Sequence, residues 1–501
     1  MKPNFIFFIF FIVFYSYYSE DRLVFLYTHF RHGARAPLDL NNTFYDKLGE
    51  KWNNPGELTG VGQRMHYIRG LQNRKKYITQ EKFLSETYDP HEIIIFSTDR
   101  NRTMISCSSQ LQGFFPIKDE LGYKLSEEQQ DIAYPPIEID DDIQQQVDEL
   151  GEAALPHLMT LAPVRMVNDN ERKMNVYDID ECTEERDAVK KNNSQNIQEF
   201  KDYITKFNGK YANDWNKYFN KTKANFTDKE IHDICDSFLS DYAEGNNMTE
   251  FQEKSGLDFD ELNEDCFDYF EKLYLYTYHG DSKKTLAHVD SSKLLREMIY
   301  YMERRLDADI STEDEDSNLK DFSRPRMVMT SGHDSTVSAD IILIINALGL
   351  NQTELYHFPR YTSQLALEVR TNKASCSKYS DYYVLGIHDD EVLFNITAHD
   401  FINKVEKDLW SEKKVNNFCG FDSSNSSNSS SDDSSEDKKD KAKTAYKVLM
   451  SIFICLSAIL LATTIFFGYK LSKANQARPS IDQSFNANNP NVTTNSTKNF
   501  N

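Results

Sequence analysis

Positive charge is what this chain has least of. Across 501 residues, 57 Lys and Arg stand against 79 Asp and Glu, a formal net charge of −22. Binding a nucleic-acid backbone needs a basic face, and none is present at this scale. The acidic surface serves solubility first and has no catalytic meaning by itself. The chain also lacks any internal repeat, and no cluster of His, Cys, Asp and Glu demands a metal. Cysteine is sparse at seven.

Two long apolar runs set the expected compartment. The opening "MKPNFIFFIFFIVFYSYYSE" has one Lys, an apolar run and then small serines. That is the pattern of a secretory signal over residues 1–19, cut near Ser19, with an uncleaved anchor as the alternative. Near the other end, Val448 to Gly468 carries no charge. Roughly 21 residues rise about 31 Å as a helix, enough to cross a bilayer. A transmembrane helix is therefore expected over 447–469, preceded by a Ser/Asp/Lys-rich stalk (419–446) and followed by a polar, disordered tail (470–501). Lysines 438, 439, 441, 443 and 447 precede the span, which by loop charge favours the opposite orientation. A large domain that has already crossed overrides that bias. The expectation is a type I membrane protein with residues 20–418 in a lysosome-like lumen or outside the cell. Asn-x-Ser/Thr sites at Asn41, Asn192, Asn220, Asn225, Asn247, Asn351 and Asn395 agree with that side, and a further one at Asn101 spans Arg102 and is expected to be unused. So do six cysteines outside the span (107, 182, 235, 266, 376 and 419), which allow fifteen connectivities.

Residues 20–418 form the globular region. "LVFLYTHF" (Leu23 to Phe30) is a continuous apolar run of strand formers. The next segment places Leu58, Val61, Met65, Ile68 and Leu71 at helical spacing, an amphipathic helix with those residues inward. "EIIIF" (Glu92 to Phe96) reads as a second buried strand, and another helix follows with Met104, Cys107 and Leu111 on one face. Strand–helix–strand–helix order predicts an α/β fold, a three-layer α/β/α sandwich around a mostly parallel sheet. From about 131 to 281 helical patterns dominate, as expected of an inserted helical cap. The α/β texture resumes at "RMVMTSGHDSTVSADIILIINALGL".

Three segments carry chemistry. "RHGARAP" places His32 on the loop leaving the first strand, between Arg31 and Arg35. In an open α/β sheet ligands bind beyond the carboxyl ends of the strands. Arginines offer bidentate forks suited to phosphate, and a histidine between two cations is held neutral, hence nucleophilic. A surface loop with ordinary salt bridges is the bland alternative. "STDRNRT" follows the second strand and sets Arg102, with Arg100 as competitor, near a helix N-terminus that favours anions; Ser97, Thr98 and Asp99 are its expected caps. "SGHDST" sets His333 and Asp334 after a further strand; an adjacent imidazole and carboxylate can divide phosphate contact from proton donation.

Together these segments resemble the histidine acid phosphatases of the phosphoglycerate-mutase-like superfamily, the branch with lysosomal and prostatic acid phosphatases and phytases. "RHGARAP" fits RHGxRxP, "STDRNRTMIS" is similar to S-T-D-x-x-R-T-x-x-S and selects Arg102 over Arg100, and "SGHDST" resembles the late His-Asp motif. "LTGVGQRMHYIRGLQNRKKY" and "RYTSQLALEV" resemble a helix and a strand between and after them. The likeness spans about residues 22 to 396, and the insertion matches poorly.

The resemblance implies His32 as the nucleophile of a phosphohistidine intermediate and Asp334 as proton donor. It implies Arg31, Arg35, Arg102 and His333 as the phosphate clamp, with no metal or cofactor and a small phosphomonoester as substrate. An acidic optimum would follow if Asp334 must be protonated to act. Two departures stand out. Gly332 replaces a common Ala, expected only to loosen the backbone. Cys107 replaces a small residue and is expected to be a buried free thiol, which leaves another odd thiol among the remaining five. A phytase-like or lysophosphatidate-directed phosphatase is a variant within the class, and an inactive binding or adhesion ectodomain is the alternative outside it. Oligomeric state is open, a homodimer included.

Overall fold

The computed structural model describes residues 21–38, 52, 54–116, 124–137, 139–156, 161–166, 182–219, 221–245, 252, 256–280, 285–311 and 324–419. All of these fall within a compact unit spanning Met1–Ser424. The expected signal peptide, the stalk beyond Cys419, the transmembrane helix and the tail lie outside the described residues. Among the described residues, no helix is long and apolar enough to cross a membrane.

Seven strands form one sheet: β1 (Arg22–Arg31), β2 (Ile93–Ser97), β3 (Arg165–Met166), β4 (Met327–Gly332), β5 (Gln364–Thr371), β6 (Tyr383–His388) and β7 (Glu391–Thr397). Their order across the sheet is β3-β2-β4-β1-β5-β6-β7. The expected mostly parallel sheet is corrected to a mixed one. The pairs β1–β4, β2–β4 and β2–β3 are parallel, whereas β1–β5, β5–β6 and β6–β7 are antiparallel. The reason lies in the connections: a crossover helix imposes parallel pairing, but only a short turn joins β6 to β7, and a turn reverses the chain. Within the insertion, Arg165–Met166 pairs with β2 at the sheet edge.

β1 is central, and every residue from Leu23 to Pro37 is buried. That is why its sequence is continuously apolar: both faces are covered. Tyr27 enters a core built with α9 (Thr285–Ser311), α10 (Asp334–Leu348) and α12 (Ala398–Asp408). Leu26 and Phe30 enter the opposite core with Tyr77, Cys107, Leu111 and Phe114. A third, aromatic core with Phe207, Trp215, Phe238 and Tyr269 holds α6 (Gln198–Tyr218), α7 (Asp228–Glu244) and α8 (Phe259–His279) together. A disulfide between Cys235 of α7 and Cys266 of α8 ties this layer, and a second joins Cys182 to Cys419. Cys107 is a buried free thiol as expected, and Cys376 is the other.

The first helix, α1 (Gly60–Asn73), turns its other face inward. Its buried positions are Gly62, His66, Gly70 and Asn73, while Ile68 and Leu71 are 49% and 39% exposed. Backbone contact with α2 (Asn101–Phe114) decides this. A Cβ on Gly70 would lie 2.0 Å from the carbonyl oxygen of Gln110, so the small-residue face must meet α2, and the apolar stripe is left outside. Gly70→Ala should therefore cost about 3 kcal/mol, and Ile68→Ser no more than about 0.5 kcal/mol, by urea denaturation of the secreted ectodomain. The reverse ranking would contradict the packing.

Candidate active site

The parallel strands β1, β4 and β2 end level with one another: Arg31 is in register with Gly332, and Ser97 with Ser331. The chain leaves these ends as His32, His333–Asp334 and Thr98, so three sequence-distant loops meet at one point. α2 starts just beyond, with Arg102 in its first turn. Arg100 occupies the N-cap position and no side chain caps the helix, so the expected caps Ser97, Thr98 and Asp99 do other things. Thr98 Oγ1 lies 3.0 Å from His333 Nε2. All six candidate residues converge here, with Arg31 4%, His32 2% and Arg35 4% exposed.

His32 Nδ1 sits 2.8 Å from its neighbour's carbonyl, Gly33 O. A carbonyl only accepts, so Nδ1 carries the hydrogen and Nε2 keeps its lone pair. Burial first, then the fields of Arg31, Arg35, His333 and Arg102, hold this imidazole well below the ordinary histidine range. The His333 ring stands edge-on to it, 5.6 Å between centroids, and burial followed by Arg102 lowers His333 to about 3. Both imidazoles are thus neutral through the mildly acid range.

The two arginines of the loop are each held by a carboxylate. Arg31 Nη2 meets Asp334 Oδ2 at 2.7 Å, Nη1 donates to Pro359 O at 2.8 Å, and the guanidinium lies over the Tyr361 ring at 4.4 Å. Arg35 is bound bidentately by Asp236 of α7, at 2.7 and 3.2 Å. Arg102 reaches His333 Nδ1 at 3.5 Å, a weak contact. Burial and the neighbouring cations lower the Arg102 guanidinium to about 10, so it stays charged. Burial raises Asp334, but Arg31, Arg35 and His333 outweigh it and hold the carboxyl at about 2. Its Oδ1 also accepts from Tyr274 (3.1 Å) and from the Ser335 amide (2.7 Å). In the unliganded site Arg31, Arg35 and His333 thus keep Asp334 ionised.

A neutral, directed imidazole facing three arginines at strand ends is an arrangement for binding and attacking a tetrahedral oxyanion. The model of the histidine phosphatase superfamily (branch 2) matches residues 22–385. The chain belongs to that family. Over 94 residues this histidine phosphatase is 38% identical to the prostatic acid phosphatase of Homo sapiens, a stretch covering 19% of this chain and about a quarter (24%) of that protein. With the prostatic acid phosphatase of Bos taurus it is 24% identical over 319 residues, 63% of this chain and 67% of that one. The phytase from Citrobacter braakii shares the fold, with TM-score 0.50, 12% identity, and 79% of this chain and 99% of that chain covered.

Several residues of this histidine phosphatase site escaped sequence reading. Asp236 and Tyr274 belong to no local motif, Tyr361 lies in the quoted "RYTSQLALEV" but without an expected role, and Asp236 lies 201 residues from its partner Arg35. Gly332 was expected merely to loosen the backbone. In the structure it is a buried strand residue whose Cβ would lie 2.5 Å from His29 Nε2 and 2.6 Å from Thr336 Oγ1, so those side chains occupy the space instead.

The buried imidazoles make stability depend on pH. His32 is lowered strongly, His333 to about 3 and His66, by burial, to about 4. Each binds protons more readily when unfolded, so its contribution is complete above ~pH 6.5 and is lost as the pH falls from there toward the folded value. Unliganded ectodomain should lose about 2–3 kcal/mol per histidine between ~pH 6.5 and ~pH 4.5. His66→Asn should flatten that slope by about one proton in denaturant titrations across pH. A flat wild-type profile would contradict the neutral, buried state.

Proposed function

We propose that this histidine phosphatase hydrolyses phosphomonoesters through a phosphohistidine on His32. The observation that carries the reading is the His32 ring: buried, neutral, with Nδ1 fixed by Gly33 O and Nε2 free among Arg31, Arg35, Arg102 and His333.

Phosphate enters as the monoanion that prevails at acid pH and exchanges with carboxylates for the arginine forks. It takes Arg31 from Asp334 and draws on Arg35 against Asp236, so the three guanidiniums meet the charge on the equatorial oxygens. Losing Arg31 and gaining an anion beside it raises Asp334. The carboxyl then takes up a proton, which the substrate monoanion itself can bring, since the second phosphate pKa is about 6. His32 Nε2 forms the N–P bond as the P–O bond to the leaving alcohol breaks, and Asp334 gives its proton to that oxygen. In the second half, Asp334 removes a proton from water, the water oxygen bonds to phosphorus, and the N–P bond breaks. Acid activity in this scheme comes from a proton arriving with substrate rather than from a carboxyl already protonated. The expected signal peptide and anchor support placing this activity in a lysosome-like lumen or at the cell surface.

Phosphate release should be measured at acid pH with p-nitrophenyl phosphate, whose leaving group needs little protonation, and with an alkyl phosphate, whose leaving group needs much. His32→Ala should abolish both. Asp334→Asn should cost about 10³-fold on the alkyl ester and roughly tenfold on the aryl ester. Equal losses on both would remove Asp334 from the donor role, and activity in His32→Ala would end the reading.

A further inference from the structure

Beneath the phosphate site lies a buried polar group that the scheme above does not use. His29 of β1 and Asp340 of α10 are both fully buried and meet at 2.7 Å, Nδ1 to Oδ2. The other ring nitrogen, Nε2, is 3.2 Å from Thr336 Oγ1. The Thr336 hydroxyl donates to His333 O at 3.0 Å and accepts from the His333 amide at 3.0 Å. Both ring nitrogens of His29 are thus engaged, Nδ1 by the Asp340 carboxylate and Nε2 by the Thr336 hydroxyl. The buried Tyr27 hydroxyl also faces Asp340, so the carboxylate is held by His29 with Tyr27 beside it.

The same ring fills the space a side chain at Gly332 would need, 2.5 Å from the Cβ position. His29 therefore presses on the residue before His333 and hydrogen-bonds the residue that clamps His333 at both its amide and its carbonyl. We propose that the His29–Asp340 pair is a positioning device that fixes the His333–Asp334 turn, and with it the proton donor, at the end of β4. A buried polar pair adds little net stability over two well-packed apolar side chains; what this one adds is direction. The proposal rests on the phosphatase reading, because position matters here only to a donor and a clamp.

The test uses the secreted ectodomain with the aryl and alkyl phosphates. Singly, His29→Val leaves a buried carboxylate unpaired and should lower Tm by more than about 5 °C. The double variant His29→Val/Asp340→Leu removes both polar side chains and should recover to within about 3 °C of wild type. Its kcat on the alkyl ester should nevertheless stay at least tenfold down, with less than about threefold lost on the aryl ester, the signature of a misplaced donor. Thr336→Val should show the same split and Thr336→Ser should restore it, a comparison that stands even if the double variant folds poorly. A double variant that matches wild type on both esters, or loses both equally, overturns the positioning role alone. An inactive, folded wild type overturns the phosphatase reading and this proposal with it.

Discussion

Everything at the site depends on keeping two arginines out of water. Arg31 and Arg35 are each 4% exposed, and a buried guanidinium is tolerated only when its charge and its donors are met. Neither charge is met within its own loop, where Arg35 finds only the Ala36 carbonyl. Asp334 comes from the start of α10 to hold Arg31, and Asp236 comes from α7 of the helical insertion to hold Arg35. The insertion therefore completes the site rather than merely covering it. Three guanidiniums and two carboxylates leave about one net positive charge before substrate arrives, and an incoming anion can take over the partners the carboxylates supplied.

The same charges set the protonation states. Arginine fields and burial act in one direction on His32 and His333 and keep both neutral. They act in opposite directions on Asp334, where Arg31, Arg35 and His333 together outweigh burial. In the proposed scheme the nucleophile is thus ready before binding but the proton donor is not, and its proton depends on the substrate displacing Arg31. The cost is a fold less stable in acid, since its buried imidazoles resist protonation.

Much of this was legible from local sequence because the site is built where strands end. His32, Arg102, His333 and Asp334 each follow a short apolar run, and such runs announce themselves. Asp236 and Tyr274 lie on amphipathic helices of the insertion where one more polar residue carries no signal, and only the fold brings them across. The inward face of α1 was misread for a physical reason: contact at Gly70 allows no Cβ, so close helix approach prevailed over the apolar stripe. The sheet was read as mostly parallel because its first half is; β5 to β7 lack crossover helices, and their antiparallel pairing follows from that. Gly332 could be understood only with His29 beside it, a contact between strands that no linear motif encodes.

The central claim is that an oxyanion takes Arg31 from Asp334 and thereby protonates it. Calorimetry of sulfate binding near ~pH 5, in buffers of different ionisation enthalpy, tests it directly, because sulfate does not titrate there and any proton taken up must land on the protein. The account predicts uptake of about one proton per sulfate by the wild-type ectodomain and none by Asp334→Asn. Binding without proton uptake in the wild type, or equal uptake in both proteins, would contradict it.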